Sequence, residues 1–190
     1  IWKLIKILPT LPIYKSQLKS DDFLFNTLFK ADNRYKQLYF MQEVANQAKT
    51  NTSYLNFLYK TKLLKNISNL LFDKNTNEKV RIEALKILIC YSSNCNNFDY
   101  IDSESMNMYI SVLIDYFIST KKIETQKLIL KMLNLIFNSN IDNGFREVFA
   151  QSLIENDQFF KICIFTKESL ISQSLKLFSV LAKYSSSVLF

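Results

Sequence analysis

The sequence predicts an all-α protein, and three observations carry that prediction. In 190 residues glycine occurs once, at Gly144, and proline twice, at Pro9 and Pro12. Tight hairpins, barrels and phosphate-cradling loops need far more of both. Apolar residues then recur at three- and four-residue spacing from about Ser20 onward, which is the period of one helix face. Finally, one four-residue pattern returns at intervals of 45: Leu85-Lys86-Ile87-Leu88, Leu130-Lys131-Met132-Leu133 and Leu175-Lys176-Leu177-Phe178. Apolar residues make up 48% of the chain and aromatics 14%, enough to build a core and to exclude a disordered polymer.

The elements follow in order. Ser20-Asp21-Asp22 reads as an N-cap with an acidic first turn, opening a helix through Phe23, Leu24, Leu28 and Phe29. A second helix spans 33–49, with Tyr35, Leu38, Phe40, Met41 and Val44 inward. Thr52 or Ser53 caps a third, running through Leu55, Leu58, Leu63, Leu64, Ile67 and Leu70 to Phe72. A polar connection, Asp73-Lys74-Asn75-Thr76, precedes a helix from Asn77 to about Ser92, and the polar stretch 94–105 reads as the longest loop. Helices 106–119 and 123–138 are joined by Thr120-Lys121-Lys122. Asp142 caps a helix through Arg146, Val148 and Leu153, and 167–184 forms the last long amphipathic one.

An internal period of this length points to helical hairpins stacked as a solenoid. The preceding helix repeats as well, in the apolar pairs Leu70-Leu71 and Tyr116-Phe117 and less regularly at Ile162 to Ile164. A weaker earlier unit covers 21–49, which makes about three and a half to four repeats. Residues 1–19, broken by Pro9 and Pro12, form an expected N-terminal cap segment, and 20–190 the repeat domain. The apolar ends, Ile1-Trp2 through Leu8 and Val188-Leu189-Phe190, and a first residue other than Met point to a fragment of a larger scaffold with further repeats or domains.

The segment Val80-Arg81-Ile82-Glu83-Ala84-Leu85-Lys86-Ile87-Leu88 resembles the last helix of an armadillo or HEAT repeat. The resemblance covers about residues 21–186 and implies a right-handed α-solenoid, HEAT-like where the first short armadillo helix is missing. In importin-like armadillo proteins this helix carries a Trp and, four residues on, an Asn that grip an extended peptide. Here Lys86, Lys131 and Lys176 stand at the Trp-equivalent positions and Cys90, Leu135 and Val180 at the Asn-equivalent ones, so a basic import signal would be repelled.

Composition narrows the function. The chain has no His, which removes the usual general base near neutral pH and the commonest metal ligand. Cys90, Cys95 and Cys163 form no Cys-x-x-Cys pair, so reduced thiols in a cytosolic or nuclear protein are expected, with no structural metal and no cofactor. No apolar run reaches membrane-spanning length. The net charge of +7 favours acidic partners, although Arg34, Arg81 and Arg146 are the only arginines.

The sharpest site expectation is a lysine row. Stacked in register, Lys86, Lys131 and Lys176 would stand on successive rungs about 10 Å apart. Lys79, Lys127 and Lys183 fall near the same side of their helices, and Glu83 and Glu124 dilute the field. This face would bind an acidic or phosphorylated segment of a protein partner without catalysis. The competing account is a solvated helix face written in lysine. A second candidate, Tyr54, Phe57, Tyr59, Lys60, Lys62 and Lys65, could stack and neutralise single-stranded nucleic acid, but Tyr54, Phe57 and Leu58 also fit a core stripe. The acidic residues Asp21-Asp22 and Asp99, Asp102 and Glu104 lack calcium-loop spacing, and no nucleophile has a base beside it, so an enzyme is not expected.

Overall fold

With glycine nearly absent, Asn and Asp side chains close several of the turns among the described residues. A computed structural model describes residues 34–73, 75–95, 98–101, 103–139, 143–165 and 168–184. The expected cap segment 1–19, the helix begun at Ser20 and the Asp142 cap lie outside the described residues. Within them are nine helices and no strand: α1 (Arg34–Thr50), α2 (Thr52–Lys60), α3 (Leu63–Phe72), α4 (Glu78–Cys95), α5 (Ser103–Ser119), α6 (Ile123–Asn138), α7 (Asn143–Glu155), α8 (Asp157–Phe165) and α9 (Glu168–Leu181). The all-α class is therefore observed. The chain divides into two compact units, Ile1–Asn94 and Cys95–Phe190.

In the first unit α1 packs on α2 and α2 on α3. α1 buries Phe40, Met41, Val44, Ala45 and Ala48, whereas Tyr35, expected inward, is 84% exposed in the first turn. The expected single helix from Thr52 to Phe72 is two. Asn51, not Thr52 or Ser53, is the cap, its Oδ1 accepting from the Tyr54 N–H at 3.1 Å. Thr61 donates its hydroxyl to the Phe57 carbonyl at 2.8 Å, and Lys62 takes a left-handed backbone with φ 57°. The break has a phase reason. Leu58 and Leu63 are both buried, yet five residues of straight helix would set them about 140° apart.

The next turn is built without glycine. Asp73 Oδ1 accepts from the Asn75 N–H at 2.9 Å, its Oδ2 from the Thr76 hydroxyl at 3.1 Å, and Arg81 Nη2 donates to its carbonyl at 2.9 Å. Asn77 Oδ1 then caps α4 by accepting from Lys79 N–H. The stretch expected as a long polar loop is much shorter: α4 runs to Cys95 and α5 starts at Ser103. Phe98, Tyr100 and Ile101 are buried within it, three apolar anchors that outweigh its polar composition.

In the second unit α5 packs on α6, α6 on α9, α5 on α8, α8 on α9, and α7 on α8. Phe117 of α5 meets Phe159 of α8 with ring centroids 4.9 Å apart, both fully buried. Gln126 closes the α5–α6 connection: its buried Nε2 donates to the carbonyls of Thr120 and Phe117 at 3.1 and 3.3 Å. Asn156 caps α8, accepting from the Phe159 N–H at 2.9 Å. Arg146 on α7 donates to the Tyr184 hydroxyl and to the Ser139 carbonyl, pinning α7 to the segments that follow α9 and α6. Asn134 Nδ2 of α6 donates to the Gln173 carbonyl of α9 at 3.2 Å.

Candidate functional site

The repeated pattern lies on α4, α6 and α9, and burial follows its 45-residue phase. Four positions are buried on all three helices: Val80, Ala84, Ile87 and Tyr91 on α4, Thr125, Ile129, Met132 and Ile136 on α6, and Leu170, Ser174, Leu177 and Leu181 on α9. A stripe with a spacing of seven residues is exposed in the same register. It reads Lys79, Lys86 and Ser93 on α4, Glu124, Lys131 and Asn138 on α6, and Lys176 on α9 followed by Lys183 just beyond it.

Of the six lysines expected to form a row, Lys127, Lys131, Lys176 and Lys183 belong to the packed pair α6 and α9 and its C-terminal turn, while Lys79 and Lys86 lie on α4. Lys86 Nζ donates to Glu83 Oε1 at 2.8 Å, and Lys127 Nζ to Glu124 Oε1 at 3.1 Å. The two glutamates therefore neutralise particular lysines instead of diluting a common field. With one partner of each pair open to solvent, Lys86 in the first and Glu124 in the second, such pairs are worth about 0.3–0.5 kcal/mol each. Among the described residues Lys79, Lys131, Lys176 and Lys183 make no ion pair.

The aromatic and basic candidate runs from α2 through Lys62 to Lys65 on α3, and it divides. Tyr54 and Leu58 are core residues, and burial drives the Tyr54 phenol well above its ordinary range. Tyr59 is 40% exposed and stacks on Tyr91 of α4 with centroids 5.7 Å apart. Asp21, Asp22, Asp102 and the Glu104 side chain lie outside the described part. Among the described residues no group of three or more His, Cys, Asp or Glu is placed to hold a metal. The three cysteines are unbridged. Burial pushes the Cys163 thiol up to about 11, with the Ser174 hydroxyl pulling the other way.

Sequence reasoning missed an apolar groove. A cavity of about 390 Å³ opens between α8 and α9, lined by Phe160, Cys163 and Ile164 on one side and Ile171, Leu175 and Phe178 on the other. Phe160 and Phe178 meet across it with centroids 5.0 Å apart. The sequence carried no signal for it: Leu175 occupies the repeat position of Leu85 and Leu130, yet both of those are 0% exposed and Leu175 is 61% exposed.

No family model, no curated protein and no solved structure matches this chain. The described residues are thus all-helical, with a sequence pattern that recurs on α4, α6 and α9, exposed lysines in phase with it and an open apolar groove between α8 and α9. No helix among the described residues is long and apolar enough to cross a membrane.

Proposed function

We propose that the chain is a non-catalytic protein-interaction module of the armadillo or HEAT type, which binds an acidic or phosphorylated segment of a partner protein through its lysine stripe. One observation carries the reading. Lys131 and Lys176 hold equivalent repeat positions on two helices that pack together, both are exposed, and neither has an acidic partner. Lysines so placed hold no structural ion pair and offer point charges to a phosphate or carboxylate. Lys127 and Lys183 extend the stripe within the same unit, Lys127 partly neutralised by Glu124, and Lys79 and Lys86 repeat the pattern on α4, Lys86 partly neutralised by Glu83. Right-handed stacking, three and a half to four repeats, and a place in the cytoplasm or nucleus belong to the same proposal.

The test reverses Lys131, Lys176 and Lys183 to Glu and follows binding of a fluorescent phosphoserine-rich acidic peptide at two salt concentrations. The reading expects binding that weakens with salt and falls at least about tenfold in the variant, with an unchanged helical signal. Equal affinity in both proteins would return the lysines to a solvated face. Tighter, salt-steep binding of a single-stranded oligonucleotide would favour a nucleic-acid partner instead.

A further inference from the structure

The groove between α8 and α9 has an equivalent inside the same protein, and there it is covered. Moving 45 residues back from Ile171, Leu175, Phe178 and Ala182 gives Gln126, Leu130, Leu133 and Phe137 on α6. Those four are 6%, 0%, 0% and 1% exposed, in a helix against which α9 packs. On α9 the same four positions are open or half-open, with Ile171 at 39% and Leu175 at 61%. The inward face of α9, Leu170, Ser174, Leu177 and Leu181, follows an i, i+4, i+7, i+11 pattern, as do the matching faces of α4 and α6. A helix of that pattern is thus what α6 accepts, and among the described residues no further helix is seated on α9 in the same way.

We infer that the α8–α9 groove is a docking site for an amphipathic helix of a partner polypeptide, one with apolar or small residues at i, i+4, i+7 and i+11, seated on α9 as α9 is seated on α6. Phe160 and Ile164 of α8 form one wall and Leu175 of α9 the other, leaving a trough for large apolar side chains. The inference rests on the repeat equivalence of α6 and α9 and is independent of the lysine stripe, whose charges lie on a different side of α9.

The probe is a synthetic peptide of this chain's own Glu168–Tyr184, which contains the helix that packs on α6, hydrocarbon-stapled across the exposed positions 172 and 176 to offset the poor helicity of short peptides. Its binding to the 190-residue protein is followed by fluorescence anisotropy. The expected result is saturable binding that Leu175→Asp weakens at least about tenfold and Lys176→Glu leaves alone. Ile171→Asp serves as a second groove variant should Leu175→Asp alter the helical signal or melting temperature. A peptide carrying Leu177→Asp should not bind. Absence of saturable binding, or binding that survives both groove variants, would overturn the inference. So would concentration-dependent dimerisation abolished by Leu175→Asp while the peptide fails to bind, because a second copy would then be the occupant. Binding of the acidic phosphopeptide, lost on lysine reversal and kept in Leu175→Asp, reports separately on the lysine reading.

Discussion

Helices α6 and α9 carry almost the same words, Leu130-Lys131-Met132-Leu133 and Leu175-Lys176-Leu177-Phe178, in different surroundings. On α6 every large apolar residue of the motif is buried, whereas on α9 Leu177 alone is and Leu175 faces the groove. The contrast separates two properties that sequence periodicity merges. Phase is local: which residue of a helix points which way follows from 100° per residue and is the same on both helices. Burial is not local, because it needs a neighbouring element to cover the face. A repeat therefore predicts the lysine stripe on each helix and leaves open whether the leucine beside it is core.

The largest expected effect breaks the pair directly. Leu130→Ala should cost about 2–5 kcal/mol in urea unfolding, as a large-to-small change in a closed core, while Leu175→Ala should cost less than about 0.5 kcal/mol. Equal costs would mean that the two faces do not differ. Cys163 probes the groove floor by chemistry. With its thiol held near pKa 11 against 9.0 for a free thiol, alkylation at pH 8 should run roughly 100-fold slower than for free cysteine. The rate should climb about tenfold per pH unit up to about 11. The sign for stability is set by the raised value: burial of the neutral thiol is fully tolerated below pH 9 and becomes a growing liability from 9 toward 11. A rate at pH 8 equal to that of free cysteine would show the α8–α9 contact to be open.

A smaller difference separates Gln126 from its repeat equivalent Ile171. Gln126→Ala leaves the Phe117 and Thr120 carbonyls without their buried donor and should destabilise by about 1–3 kcal/mol. Ile171→Gln, on the exposed counterpart, should move stability by less than about 0.5 kcal/mol. Smallest of all is the stripe itself: Lys131→Glu with Lys176→Glu should change stability by less than about 0.5 kcal/mol, since neither lysine holds an ion pair. A larger loss would assign these lysines a structural part.

The helical class was legible because the chain lacks residues that build anything else, and the 45-residue period located α4, α6 and α9 to within a few residues. Breaks were harder to read. Nothing in Tyr59-Lys60-Thr61-Lys62 signals a helix end, because the left-handed residue there is a lysine where glycine is the usual marker. The loop at 94–105 read as long because its polar residues outnumber Phe98, Tyr100 and Ile101, although burial of those three decides its course. The lysine stripe was legible from phase. Its neutralisation by Glu83 and Glu124 was half-legible, since an i, i+3 spacing allows a pair without requiring one. The groove was not read at all, because it depends on where the stack of helices stops being covered.

The central claim, that α6 and α9 are equivalent rungs packed side by side, is tested most directly by spin labels at Lys131→Cys and Lys176→Cys in a protein whose native Cys90, Cys95 and Cys163 are replaced by Ala. Helices in contact place such labels within about 20 Å, so continuous-wave spectra of the frozen double-labelled protein should show dipolar broadening that neither single label shows. Spectra that merely sum the two single labels, with a pulsed measurement giving a separation above about 25 Å, would contradict it.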